Sequence, residues 1–125
     1  MLSALIVDDD NDMRFLVRMT IETANHGLCV GGEAASGTEA IAFIASIGQD
    51  RPGVVVLDYR MPGLSGLETA AEILRADPDQ PIILFSAYLD AETIDRARDL
   101  GIRTCLAKTD VARLPEALWQ LAKGA

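Results

Sequence analysis

The sequence predicts an α/β fold: a doubly wound parallel sheet of five strands covered by five helices. Two observations carry this. Five short apolar runs alternate strictly with five longer stretches of helical period. Three of the runs are apolar without a break, as strands buried on both faces must be.

The runs are Ala4–Val7, Leu28–Val30, Val54–Leu57, Ile82–Phe85 and Thr104–Ala107. The first, third and fourth are continuous. Gly31 and Gly32 interrupt the second and the fifth is short, so these two are expected at the edges. The first helix should bury Met13, Leu16, Val17, Thr20 and Ala24 and end near Gly27. The second carries Ala40, Ile41, Ile44 and Ile47 and stops at Gly48; the third carries Leu67, Ala70, Ala71 and Leu74 and stops before Pro78. Ile94, Ala97 and Leu100 mark a fourth, closed by Gly101, and Leu114, Ala117, Leu118 and Leu121 mark a fifth. Crossovers between parallel strands are right-handed. Patchy runs at the edges and continuous runs in the middle match the flavodoxin-like order 2-1-3-4-5.

The 125 residues suit one domain, spanning 1–125. Eleven basic against 19 acidic residues give a net charge of −8, which disfavours direct contact with nucleic acid or anionic membrane. The start lacks a signal-peptide pattern and no apolar run is long enough to span a bilayer, so a cytoplasmic protein is expected. Cys29 and Cys105 fall on opposite edge strands, roughly 19 Å apart at four strand spacings, too far for a disulfide. Both read as small buried hydrophobes. His26, the only histidine, is expected on the surface in the turn after helix one, which leaves no histidine-pair metal site.

Ligands in such sheets bind beyond the carboxyl ends of the strands. There the chain places Asp8, Asp9 and Asp10 after strand one, Asp58 after strand three, Ser86 after strand four and Lys108 after strand five. Converging carboxylates repel unless a cation joins them, and a hard divalent ion such as Mg²⁺ suits few protein oxygens plus water and phosphate. The lysine makes sense if an anion also enters, with Ser86 donating to it and a carboxylate acting as nucleophile towards phosphorus. Taken singly each residue has a plainer role: Asp10 or Asn11 as a helix N-cap, Ser86 as a turn hydroxyl, Lys108 as a solvated charge. Asp8-x-Asp10-x-Asp12 is not an EF-hand loop, because Met13 replaces the required Gly and Met19 the terminal Glu. There is no Walker A or G-x-G-x-x-G sequence.

Leu5–Asp10 (LIVDDD), Val55–Gly63 (VVLDYRMPG) with Gly66 following, Leu84–Ala87 (LFSA) and Leu106–Lys108 (LAK) together resemble the CheY-like receiver domain of two-component response regulators, over essentially the whole chain. Gly31–Gly37 (GGEAASG) and the Lys108–Thr109 pair look most like receivers that precede helix-turn-helix output domains. The resemblance implies that Asp58 accepts a phosphoryl group from a histidine kinase, a phosphotransfer protein or a small phosphodonor. It implies that Asp9 and Asp58 bind Mg²⁺ directly, Asp8 through water, and Arg60 through its backbone carbonyl. Lys108 then pairs with the phosphoryl group, Ser86 is the switch hydroxyl, and Arg60 and Tyr88 tune its lifetime. The switch aromatic is replaced by Cys105, and Thr109 stands where proline is usual, so no cis peptide is expected after Lys108.

Trp119 falls off the stripe of helix five, which suggests either a contact surface or a ring folded over its helix end or onto helix four. In the family the face of helix four, strand five and helix five binds a second copy or an output domain. The chain ends just after helix five, so it is expected to be a stand-alone receiver or the front of a transcription regulator. Two rival readings fit less well: a receiver acting only as a phosphorylation-independent interaction module, and an aspartyl-phosphate phosphatase with Asp8 as nucleophile. Asp12 spoils the latter motif, which wants Thr or Val there.

Overall fold

The computed structural model describes residues 2–24 and 27–124. His26 lies outside the described residues. The strands are β1 (Leu2–Val7), β2 (Leu28–Ala34), β3 (Val54–Leu57), β4 (Ile82–Ser86) and β5 (Thr104–Ala107). The helices are α1 (Asn11–Ala24), α2 (Gly37–Ile47), α3 (Gly66–Ala76), α4 (Ala91–Leu100) and α5 (Leu114–Lys123). All pairings are parallel and the order is β2-β1-β3-β4-β5, as the sequence predicts.

Alternate strand residues feed two cores. Leu5, Val7, Val55, Leu57 and Leu84 meet α2, α3 and α4. Ala4, Ile6, Val56, Ile83 and Phe85 meet α1 and α5. Every residue of β3 and β4 is buried, which is why those runs show no polar alternation.

Three expectations change. The glycines do not end β2, which runs on to Ala34 through a register shift opposite Ala4 and Leu5. Gly32 is needed there because the Phe43 ring packs on the strand; an added Cβ would lie 2.6 Å from it. On α1 the fully buried residues are Val17 and Ile21, whereas Leu16 is turned outward with Phe15 and Met19. One residue of rotation on a helix is enough to move a stripe from core to solvent. On α4, Thr93 and Ala97 are buried while Leu100 is exposed.

A 3₁₀ turn over Lys108–Arg113 leads into α5, whose expected stripe holds: Leu114, Leu118 and Leu121 are buried. Trp119 is half-buried in the core on the α1–α5 side, not against α4, and its ring lies 3.3 Å from where a Cβ on Gly27 would stand. Cys29 and Cys105 are free, half-buried thiols on opposite edges of the sheet. Among the described residues there is no cis peptide bond, and no helix is long and apolar enough to cross a membrane.

Candidate functional site

The site forms because neighbouring strands end in register. Val7 pairs with Leu57, so the residues that follow, Asp8 and Asp58, leave the sheet side by side. Backbone bonds hold both: the Asp58 N–H donates to the Val7 carbonyl at 2.9 Å, and the Asp8 N–H to the Ala34 carbonyl at 3.1 Å. Ser86 pairs with Ala107, which delivers Lys108 from the far edge.

The carboxylates of Asp8, Asp9 and Asp58 each bring an oxygen within 4.8 Å of the others. Asp8 and Asp58 are buried and Asp9 is exposed. The Lys108 ammonium reaches across, 2.8 Å from Asp8 Oδ2 and 3.3 Å from Asp58 Oδ1. Asp10 does something else. Its carboxylate accepts from the Asp12 N–H at 2.9 Å and so caps α1.

Burial, reinforced by the Asp8 charge and partly offset by Lys108, raises the Asp58 pKa from 3.8 to about 6. For Lys108 burial pulls downward, but the bond to Asp8 and the two carboxylate charges outweigh it, so its pKa is raised. The site therefore holds more negative charge than its one ammonium balances. Three hard oxygen donors at the open end of a sheet, one of them solvent-facing, fit Mg²⁺ in number and kind.

Ser86 is buried and lines the cleft with Asp58, Arg60, Ala87, Tyr88 and Lys108. Its hydroxyl donates to the Tyr88 carbonyl at 3.2 Å and accepts from the Tyr88 N–H at 3.4 Å. Arg60 and Tyr88 stand exposed at the mouth. Cys105 lies outside the cleft, on a groove it shares with Leu89, Asp110, Arg113 and Ala117; burial raises its thiol pKa against the opposing pull of Arg98.

Sequence reasoning placed Asp8, Asp9, Asp58, Ser86, Lys108 and Arg60 at this end of the sheet, and the structure brings them together. It missed Arg14. That side chain turns back from α1 to donate to the Asp8 carbonyl at 2.5 Å, and Glu33 on β2 holds it at 3.2 Å. No spacing rule signals a contact that depends on how α1 crosses β2. Gly66 was noted only through the resemblance. An added Cβ there would lie 2.2 Å from the Asp58 carbonyl oxygen.

Residues 4–118 match the model of the response regulator receiver domain. The chemotaxis protein CheY of Thermotoga maritima is 32% identical over 120 residues, 95% of this chain and 96% of the relative. The C4-dicarboxylate transport transcriptional regulatory protein DctD of Rhizobium meliloti is 38% identical over 106 residues; the match takes in 85% of this chain but only 22% of that much longer protein. Among solved structures, a two-component response regulator of the LuxR family from Aurantimonas superposes with a TM-score of 0.89 at 28% identity, covering 98% of this chain and 85% of that one. With its sheet order, its strand-end acids and nearly its whole length in agreement, the chain belongs to the response regulator receiver domain family.

Proposed function

We propose that Asp58 is the phosphoacceptor of a two-component signalling switch and that residues 1–125 form its receiver domain. One observation carries this: a buried carboxylate faces a lysine ammonium 3.3 Å away, with two more carboxylates beside it. An Asp58 oxygen attacks the donor phosphorus. The new O–P bond replaces the donor's P–N bond, if a histidine kinase or phosphotransfer protein supplies the group, or its P–O bond, if an acyl phosphate does. The leaving group keeps the bonding electrons.

Asp9 and Asp58, with Asp8 through water and the Arg60 carbonyl, would hold Mg²⁺, whose charge neutralises the phosphoryl oxygens. Lys108 lies where it can pair with one of those oxygens. Ser86 can donate to another once it releases the Tyr88 carbonyl, and this exchange is the switch. Arg60 and Tyr88, at the cleft mouth, control water access and so the lifetime of the acyl phosphate. Ser86 pairs with Ala107 on β5, so its movement reaches the groove at Cys105, between Leu89 and α5. A second copy or an output domain binds on that side. Trp119 is engaged with Gly27 and does not line the groove.

The chain performs no chemistry beyond its own phosphorylation and dephosphorylation, works in the cytoplasm and makes no direct contact with nucleic acid. The complete carboxylate and lysine set argues against an interaction module that ignores phosphorylation. The test is intact mass after incubation with Mg²⁺ and acetyl phosphate. One phosphoryl adduct that needs Mg²⁺ supports the proposal; no adduct from acetyl phosphate or from a histidine kinase panel overturns it.

A protein donor must cover the rim of the cleft. α1 begins straight after the acidic turn and presents Phe15, Leu16 and Met19 to solvent. Phe15 is 64% exposed, the most open large apolar side chain among the described residues. We expect Phe15→Ala to slow transfer from a histidine kinase that phosphorylates the wild type by roughly tenfold, about 1.4 kcal/mol. Phosphorylation by acetyl phosphate should not change. Equal slowing with both donors would remove α1 from the docking surface.

A further inference from the structure

We propose that Arg14 is a positioning residue for the metal-binding turn, fixing the direction of Asp8 and Asp9 through the Asp8 carbonyl. The inference rests on the Mg²⁺ site proposed above.

The turn from β1 to α1 is held from within by the Asp10 N–H on Asp8 Oδ1 at 3.0 Å and the Asp12 N–H on Asp10 Oδ1 at 2.9 Å, and from across the sheet by Lys108 on Asp8 Oδ2 at 2.8 Å, but none of these reaches the Asp8 carbonyl. The Asp8 N–H is tied to Ala34, but Val7 is the last residue of β1 in the sheet ladder, so the Asp8 carbonyl has no strand partner. Arg14 supplies one. Its Nη1 donates to that carbonyl at 2.5 Å, Nη2 donates to the Asn11 side chain, and Nε donates to Glu33 Oε1 at 3.2 Å. The Arg14 N–H also donates to the Asp10 carbonyl at 3.0 Å. That main-chain bond is the ordinary first-turn bond of α1, so the hold on the Asp8 carbonyl is the work of the Arg14 side chain alone. The side chain is only 14% exposed, so the fork is held in the structure and not waving in water.

Glu33 fixes the fork from the other side. It sits on β2 beyond the register shift and also pairs with Arg18 at 2.7 Å. A planar fork with several donors can satisfy a carbonyl, an amide oxygen and a carboxylate at once, which a lysine cannot do. The carboxylates of Asp8 and Asp9 hang on this backbone. If the Asp8 carbonyl loses its partner, the turn relaxes and the oxygens no longer converge.

Charge and position have opposite signs here, which makes the test decisive. Arg14 is a cation near a cation site. If it acted only through its charge, removing it would tighten Mg²⁺ binding. If it positions the turn, removing it weakens binding, as loss of a group supporting metal ligands commonly does by tenfold or more.

The experiment is calorimetric titration of the unphosphorylated protein with Mg²⁺, with unfolding followed in EDTA. The variants are Arg14→Met, Arg14→Lys and Arg18→Met. The last removes the same charge and another Glu33 partner but makes no bond to the acidic turn. We expect the Mg²⁺ Kd to rise about tenfold for Arg14→Met, to rise less for Arg14→Lys, and not to rise for Arg18→Met. An unchanged or lower Kd in Arg14→Met overturns the inference. If Arg14→Met does not fold, Arg14→Lys decides: a wild-type Kd there shows that charge is enough and the fork is not needed. Weakening by Arg18→Met as large as by Arg14→Met also overturns it. A wild type that binds no Mg²⁺ removes the metal site itself, and this inference with it.

Discussion

Asp58→Asn is expected to abolish the phosphoryl adduct and, in the absence of metal, to make the protein more stable at neutral pH. The adduct is lost because an amide cannot replace the attacking carboxylate, and the stability gain follows from the burial of that charge. Burial and the neighbouring Asp8 raise the Asp58 pKa to about 6, so the folded state prefers this carboxyl protonated. Between the ordinary value of 3.8 and about 6 the native protein holds a proton that the unfolded chain has released. Stability must then fall as pH rises through that window, and above it the ionised group opposes folding. The shift corresponds to about 3 kcal/mol at most. Asparagine removes the charge but also the contact with Lys108, so a gain of about 1–2 kcal/mol is expected.

In EDTA at pH 7, Asp58→Asn should melt several degrees above wild type, by about 3–8 °C. The gap should close towards pH 4, where the wild-type carboxyl is protonated too. Mg²⁺ should raise the wild-type Tm and narrow the difference, since a ligand that binds only the folded state stabilises it. Melting curves from pH 4 to 8 with and without Mg²⁺ check this. A variant less stable than wild type at pH 7 in EDTA would mean that Lys108 already neutralises the site. A phosphoryl adduct on Asp58→Asn would place the acceptor elsewhere.

Gly66→Ala should cost about 3 kcal/mol and displace Asp58. The added Cβ would lie 2.2 Å from the Asp58 carbonyl oxygen and 2.8 Å from the Tyr59 Cα, both backbone atoms that have no rotamer to escape into. The Gly66 N–H donates to the Tyr59 carbonyl at 2.7 Å, so the start of α3 is pressed against the segment that carries Asp58. The Ser65–Glu68 capping box holds that helix end from the other side. The methyl must force α3 away or push the Asp58 backbone inward, and overpacking of this kind costs about 1–3 kcal/mol or more.

Gly63→Ala is the control. Gly63 also lies in the loop after β3, but its surroundings are open and only its φ of 78° opposes a side chain. That should cost about 1 kcal/mol and leave phosphorylation intact. Urea unfolding and initial rates with acetyl phosphate separate the two: Gly66→Ala should lose both stability and rate, Gly63→Ala a little stability only. Equal losses would mean that the contact with the Asp58 backbone relaxes at little cost, since Gly66, unlike Gly63, has no positive φ.

Much of this molecule is legible in one dimension because its chemistry lies at strand ends. An apolar run buried on both faces announces a central strand, and in a parallel sheet the residue after it emerges at the ligand end. Asp8, Asp58 and Ser86 each follow such a run directly, and Lys108 follows the shorter edge run Thr104–Ala107, so their convergence could be read without coordinates. Asp10 as the cap of α1 was legible too, since the acid precedes the helical period by one residue.

What the tertiary structure alone decided concerns which elements meet, and at what rotation. Helical period leaves the facing of α1 uncertain by about one residue. Only its packing on β1 and β2 turns Val17 and Ile21 inward and sends Phe15, Leu16 and Met19 out. The Trp119 ring finds Gly27 because α5 lies beside α1, two elements far apart in the chain. Arg14 meets both Glu33 and the Asp8 carbonyl because β2 carries a register shift beside β1. Sequence by itself determined the sheet, its order and the residues at the carboxyl ends of its strands, because burial and connectivity are written in local pattern. The clamp behind the acids, the seat of the tryptophan and the exposed face of α1 came from the fold, because contacts between side chains on different elements depend on crossing geometry that no local pattern records.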